Sequence, residues 1–131
     1  MDLGTRDEWS KIMPKDMGKS NCPFCDISKT PVLKVFTHWF ICYNKYPYGG
    51  NKNHLLLIPK KHKQFASLLS PEETQELPLI EKFLEKHFNK TDYFSFTRHT
   101  YQGRSLEHLH YHYLPGIVTP SDIELILQKN T

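Results

Sequence analysis

Three histidines recur at every second position near the end of this 131-residue chain, at His108, His110 and His112. Successive side chains of a β-strand point to opposite faces, so the three imidazoles share one face. The other face is apolar and aromatic, and consists of Leu109, Tyr111 and Tyr113. This pattern is typical of a strand that packs on the core and lines a functional site with its front, although a surface strand with incidental histidines is the ordinary alternative.

The histidine row allows several kinds of chemistry, because imidazole is a nucleophile, a base near neutral pH and a metal ligand. A single metal held by all three is disfavoured, since the outer Cα atoms of a straight strand lie about 13 Å apart at about 3.3 Å per residue. Metal–nitrogen bonds of about 2 Å cannot span that distance easily. A division of labour fits better, with one histidine as nucleophile while its neighbours orient it, contact phosphate or hold a metal. A zinc-dependent hydrolase that uses the row as ligands stays an alternative.

Length and composition limit the class of protein. With 131 residues the chain can build one core but not two. It has no apolar run long enough to span a bilayer, and its polar start does not resemble a secretory leader. Three cysteines, two of them in Cys-x-x-Cys, suit a reducing compartment, so we expect a cytoplasmic protein. A formal charge of +3 favours anionic ligands but does not by itself indicate nucleic-acid binding.

Local patterns predict an α+β fold with an antiparallel sheet. Apolar and aromatic runs bounded by turn residues predict five strands, at residues 32–36, 39–43, 54–58, 93–97 and 107–114. Ser70-Pro-Glu-Glu supplies an N-cap and a capping-box Glu, so a helix begins there, with one apolar face from Leu77 to Phe88. We expect a kink at Pro78, because proline lacks the N–H that a helix interior uses. Thr119-Pro-Ser-Asp begins a C-terminal helix.

The run His108-Leu-His-Tyr-His-Tyr-Leu resembles the signature of the histidine-triad (HIT) nucleotide hydrolases and transferases, in which three histidines alternate with apolar residues. Other segments resemble the family in the same order, namely Cys22-Pro-Phe-Cys-Asp-Ile, Asn44-Lys-Tyr-Pro-Tyr, Asn53-His-Leu-Leu-Leu-Ile-Pro-Lys-Lys-His and Gly103-Arg-Ser-Leu-Glu. The resemblance extends over residues 20–115. It implies a five-stranded antiparallel sheet with one main helix and short helices, paired in a homodimer.

The resemblance also implies catalytic roles. His110 is expected to attack the α-phosphorus of a nucleotide and form a nucleotidyl–histidine intermediate, which water or inorganic phosphate then resolves. His112 is expected to contact the same phosphate. Ser105 corresponds to a hydroxyl near the leaving group, as donor or proton relay, with an ordinary turn serine as the alternative. No organic cofactor is implied.

For the substrate, the resemblance implies that Asn44 binds the ribose and that Phe24 and Ile27 flank the base, although both apolar residues are also consistent with plain core. Arg104 replaces a glutamine that is common in the family, and Arg98 follows the fourth predicted strand. A guanidinium binds phosphate through two hydrogen bonds and keeps its charge at neutral pH. These arginines favour a polyphosphate leaving group, unless they are solvated loop charges.

A Cys-x-x-Cys pair alone is compatible with redox chemistry, with half of a zinc site or with coincidence. Zinc prefers four nitrogen or sulfur ligands in a tetrahedral shell. In some relatives the histidine before the third strand and the first triad histidine complete the shell. The resemblance therefore implies a structural zinc ion bound by Cys22, Cys25, His54 and His108.

We expect residues 1–20 to form an N-terminal arm and residues 21–131 a single HIT-like domain. The expected function is a nucleotide hydrolase or nucleotidyl transferase that acts on dinucleoside polyphosphates or related conjugates. The alternative is a nucleotide-binding or interaction module of the same fold with little turnover, because a fold does not determine a function. The expected partners are a nucleotide substrate and a second copy of the chain, with no membrane and no indication of nucleic acid.

Overall fold

The computed structural model describes residues 31–99 and 108–129. The predicted N-terminal arm lies outside these ranges. Six of the predicted site residues also lie outside them, and these are Cys22, Phe24, Cys25, Ile27, Arg104 and Ser105. The three triad histidines, Asn44 and His54 lie within the described residues.

Five strands of the described chain form one antiparallel sheet. The strands are β1 (Val32–Val35), β2 (Trp39–Tyr43), β3 (Leu55–Pro59), β4 (Tyr93–Phe96) and β5 (Tyr111–Pro115). Their order is β1-β2-β3-β5-β4, and every adjacent pair is antiparallel. The strand that carries His112 therefore lies inside the sheet, between β3 and β4, while β1 and β4 are its edges. The predicted α+β class is confirmed.

The fifth strand is shorter than the pattern predicted. Its paired residues begin at Tyr111, whereas we expected pairing from residue 107. The backbone N–H of Leu109 donates instead to the carbonyl oxygen of Lys63, at 2.6 Å, beyond the end of β3. His108 and His110 thus precede the regular ladder, and only His112 lies within it.

Two helices follow the third strand. They are α1 (Pro71–Gln75) and α2 (Leu77–Phe88). The predicted capping box is confirmed, since the Glu73 N–H donates to Ser70 Oγ at 3.2 Å and the Ser70 N–H donates to Glu73 Oε1 at 2.7 Å. The helix is interrupted near Pro78, as predicted, but the interruption lies two residues earlier, at Glu76. Pro78 thus lies in the first turn of α2, where a missing N–H removes no hydrogen bond within that helix.

The sheet separates two apolar clusters. The cluster on the helical face consists of Trp39, Ile41, Leu55, Leu57 and Tyr113 from the sheet and Ile80, Leu84 and Phe88 from α2. It confirms the predicted inward face of that helix. The opposite face carries a second cluster, formed by Phe40, Cys42, Leu56 and Ile58. His112 pairs with Leu56, and cross-strand partners share a face, so the His112 side chain lies on this second face.

The C-terminal helix, α3 (Pro120–Gln128), begins as predicted at the capping residue Thr119. None of its residues is buried. It is too short to be stable in water without packing. In the described part of the chain, no helix has the length and apolar character needed to cross a membrane.

Candidate active site

The centre of the site is a hydrogen bond between two buried histidines. His112 comes from β5 and is 3% exposed, while His54 immediately precedes β3 and is fully buried. Their adjacency follows from the sheet register, which pairs Leu55 with Tyr113 and Leu56 with His112. His54 Nε2 lies 2.8 Å from His112 Nδ1. A pair of neutral imidazoles at this distance must have one donor and one acceptor.

The backbone decides which ring donates. The Tyr48 N–H donates to His54 Nδ1 at 3.1 Å, so this nitrogen is an acceptor. In the neutral ring the proton of His54 therefore lies on Nε2, from which it is donated to His112 Nδ1. The proton of His112 must then lie on its own Nε2. That atom is buried and has no hydrogen-bond partner among the residues that the structure describes. A buried donor without an acceptor costs about 1–3 kcal/mol, so a ligand that supplies an acceptor is favoured.

His110 is oriented by backbone contacts. Its Nδ1 lies 2.9 Å from the carbonyl oxygen of His108, which can only accept, so Nδ1 carries the proton and Nε2 is the basic nitrogen of the neutral ring. The Thr97 hydroxyl, at the end of β4, donates to the carbonyl oxygen of His110 at 2.8 Å. The His110 and His112 rings lie 4.9 Å apart between centroids. The two predicted catalytic histidines are therefore neighbours, with complementary proton positions.

Two aromatic residues that the sequence reasoning missed complete the surroundings of His112. The Phe96 ring stacks on His112 at 4.4 Å with an interplanar angle of 3°, and Tyr48 stacks at 5.4 Å. Phe96 is the β4 partner of His112, so strand register could have identified it. Tyr48 lies in the turn that precedes β3. This turn is tied to α2, since His87 Nε2 lies 2.7 Å from Asn53 Oδ1.

Burial keeps three histidines neutral at neutral pH. It lowers the pKa of His54 to about 4, with the charge of His110 contributing. Burial also lowers the pKa of His108 to about 4, against the carbonyl of Pro59, which raises it. The pKa of His112 falls to about 2, mainly through burial and then through the charges of His110, His54 and Arg98. The chain of hydrogen bonds from the Tyr48 N–H through His54 to His112 requires both rings to be neutral.

Asn44, the predicted ribose ligand, lies beside the histidine pair. Its Oδ1 accepts from the Tyr46 N–H at 2.9 Å, and its Nδ2 lies 3.4 Å from both ring nitrogens of His54. The side chain thus supports the turn around His54 and is 7% exposed. Ribose binding by Asn44 stays a prediction.

The histidine half of the predicted zinc site is not assembled. His108 Nε2 lies 2.8 Å from the carbonyl oxygen of Pro59, at the end of β3, whereas His54 precedes the start of that strand. The five residue steps between them correspond to about 16 Å at about 3.3 Å per residue. Because zinc–nitrogen bonds are about 2 Å long, His54 and His108 do not fit one tetrahedral ion. No cluster of three or more potential metal ligands occurs among the described residues. The cysteine half of the site, Cys22 and Cys25, stays a prediction.

No model of a known protein family matches the chain. A curated relative, the CWF19-like protein 1 homolog of Drosophila melanogaster, is 31% identical over 91 residues. The match covers 66% of this chain and 16% of the relative. This chain therefore corresponds to a small part of that longer protein.

Solved structures resemble the chain over most of its length. A histidine triad protein from Clostridium difficile has a TM-score of 0.59 at 24% identity, covering 79% of this chain and 97% of that one. A HIT family hydrolase from Clostridium thermocellum has a TM-score of 0.57 at 26% identity, covering 74% and 91%. The diadenosine triphosphate hydrolase of Plasmodium falciparum has a TM-score of 0.55 at 22% identity, covering 76% and 71%. The chain thus has the fold of the histidine-triad proteins.

Proposed function

We propose that this chain is a histidine-triad nucleotide hydrolase or nucleotidyl transferase that acts at an α-phosphate. The observation that carries the proposal is the buried Nε2–H of His112, which lacks an acceptor among the described residues. A phosphoryl oxygen is a strong acceptor and brings a negative charge. The positive charge of Arg98 contributes to the lowered pKa of His112 and also favours an anionic ligand there.

The proposed nucleophile is His110. Its protonated Nδ1 donates to the carbonyl oxygen of His108, so the lone pair of the neutral ring lies on Nε2, the atom proposed to attack phosphorus. Attack forms the bond between Nε2 and the α-phosphorus, while the bond to the leaving phosphate oxygen breaks and that oxygen keeps the electron pair. In the second step the oxygen of water bonds to phosphorus and releases a proton to solvent, while the P–N bond breaks and its electron pair returns to Nε2. The His112 donor stabilises the negative oxygen in both transition states.

The proposed substrates are dinucleoside polyphosphates or related nucleotide conjugates. Similarity to the diadenosine triphosphate hydrolase of Plasmodium falciparum supports this class. In the proposal Arg104 binds the polyphosphate, Ser105 assists the leaving group and Asn44 binds the ribose. Phe24 and Ile27 flank the base. These assignments rest on the sequence resemblance, and variants at each position test them separately.

A homodimer is part of the proposal. Two observations on the described residues support it: β4 is an edge strand of the sheet, and apolar residues near α3 are exposed. Those residues are Ile117, Val118, Ile123, Leu125, Ile126 and Leu127, with exposures from 41% to 70%. An apolar segment of this kind marks an association surface. In sedimentation experiments Ile123→Asp/Leu127→Asp should dissociate the dimer, whereas Ser121→Asp on the same helix should not. A monomeric wild-type protein contradicts this part of the proposal.

The reaction is tested by hydrolysis of diadenosine triphosphate in ¹⁸O-labelled water. Attack at the α-phosphorus places the label in AMP and leaves ADP unlabelled, which mass spectrometry resolves. His110→Gly should abolish the reaction, and the matched control His38→Ala, a histidine outside the site, should retain it. Label in ADP would place the attack on the β-phosphorus and overturn the mechanism. Tight nucleotide binding without hydrolysis of any conjugate would favour the alternative, a nucleotide-binding module.

A further inference from the structure

A groove lies on the helical face of the sheet, between the edge strand β1 and helix α2, and the His112 side chain lies on the opposite face. Its volume is about 660 Å³. The lining residues are Lys34, Val35, Phe36, Thr37, Glu76, Leu79, Lys82, Phe83 and Lys86. We propose that this groove binds an extended acidic peptide segment of a partner protein, which adds to the sheet along β1.

The floor of the groove is apolar and aromatic. Phe36 and Phe83 meet edge to face with ring centroids 5.9 Å apart. Leu79, from α2, is 59% exposed, so it offers apolar surface to a ligand. Surface of this kind contributes to binding when a ligand removes it from water.

The rim of the groove is basic on both sides. Lys34 comes from β1, with its Nζ 5.9 Å from the Phe83 ring centroid, while Lys82 and Lys86 come from α2. None of the three forms an ion pair with another residue in the ranges that the structure describes. The acidic residue of the groove, Glu76, keeps its charge while its two carboxylate oxygens accept from the backbone N–H groups of Thr37 and His38 at 3.1 and 2.8 Å. The three lysines outnumber this carboxylate, so the net charge of the groove lining is positive and complements an acidic partner.

A β-bulge turns Lys34 toward the groove. Val32 pairs with Cys42, on the face opposite α2, and a regular strand would place Lys34 on that same face. The register shifts between these two residues, so Lys34 pairs with Ile41, which belongs to the cluster beneath α2. Bulges are commonly found where a side chain is re-aimed near a functional site.

The spacing of the groove fits an extended chain. Among the described residues β1 is an edge of the sheet, and its backbone N–H and C=O groups that point away from β2 can pair with an added strand. Lys82 and Lys86 are four residues apart on a helix, which is about 6 Å of rise. Alternate residues of an extended peptide are about 6.7 Å apart on one face. Two acidic residues separated by one position can therefore each meet one of these lysines.

The test is a fluorescence-polarisation titration with a labelled octapeptide that alternates Asp and Val. The wild-type protein should bind it saturably, and Lys82→Glu/Lys86→Glu should weaken binding at least about tenfold, since both rim charges then repel the ligand. The matched control Lys61→Glu/Lys129→Glu has the same net charge and should stay within about twofold, because neither residue lines the groove. The same peptide with N-methylated backbone at alternate residues should bind poorly, since it cannot pair with β1.

Absence of saturable binding by the wild-type protein overturns the proposal, as does equal weakening by the two double variants. If a single-stranded oligonucleotide binds more tightly than the peptide, with the same dependence on Lys82 and Lys86, the groove is a nucleic-acid surface instead. His110→Ala should leave peptide binding unchanged, which separates this groove from the triad site.

Discussion

The orientation of His112 by His54 leads to a specific prediction. In His54→Phe the ring shape is kept, but the donor to His112 Nδ1 and the acceptor for the Tyr48 N–H are both lost. Nothing then requires the proton of His112 to lie on Nε2, where the proposed phosphate needs it. We expect kcat to fall while KM changes little, because the lost interaction is strongest in the transition state.

The magnitude follows from the loss of one preorganised donor, which costs about 10²–10³ in kcat, or about 2.7–4 kcal/mol. The same substitution leaves the buried Nδ1 of His112 without its partner, at about 1–3 kcal/mol, and also removes the acceptor of the part-buried Tyr48 N–H. A domain with about 5–15 kcal/mol of stability remains folded through most of that range at 25 °C. The activity loss can therefore be measured on folded protein.

The assay is steady-state hydrolysis of a dinucleoside polyphosphate, combined with ¹⁵N chemical shifts that report which nitrogen of His112 is protonated. His54→Gln is the matched control, because its amide can donate to His112 Nδ1 and accept from the Tyr48 N–H. Glutamine should restore much of kcat and the Nε2–H tautomer. The reasoning is refuted if His54→Phe stays within about threefold of wild type, under 1 kcal/mol of barrier, or if glutamine is as damaging as phenylalanine.

Three further predictions concern catalysis and stability. His110→Ala should abolish turnover while the fold and nucleotide binding persist, and a kcat within about tenfold of wild type would remove it from the nucleophilic role. The unfolding free energy should fall as the pH is lowered from 6.5 toward 4, since His54, His108 and His112 take up protons only when unfolded. The unfolding free energy should change by up to about 1.4 kcal/mol per pH unit per histidine in this range, and the stabilising contribution should be fully present above pH 6.5. A flat profile in denaturant titrations would contradict this prediction. Ser70→Ala should lower the unfolding free energy by about 1 kcal/mol through loss of the capping box, measured the same way, and an unchanged midpoint would oppose that assignment.

The features of the fold that depend on local sequence were predicted well. Five strands near the expected positions, the capping box at Ser70 and the inward face of α2 follow from period and capping chemistry. The interruption expected at Pro78 occurs at Glu76 and divides the predicted helix in two, because a second helix can begin with the proline in its first turn, where it is tolerated.

The features that depend on pairing between distant segments were less accessible. Two-residue alternation predicted that His110 and His112 are neighbours. It could not predict that the backbone N–H of Leu109 donates to the carbonyl oxygen of Lys63, or that His108 and His110 therefore precede the paired residues of β5. The partnership of His54 with His112 depends on the register between β3 and β5, a non-local property that a single strand pattern does not contain.

The most direct test of the central claim is chemical trapping of the intermediate. The protein is mixed with diadenosine triphosphate, quenched within one turnover under mildly alkaline conditions that preserve phosphoramidate bonds, and digested for mass spectrometry. An adenylyl group is expected on His110, absent from His110→Gly and present in His38→Ala. Product formation with no protein adduct at any quench time, or an adduct mapped to another residue, would exclude His110 as the nucleophile.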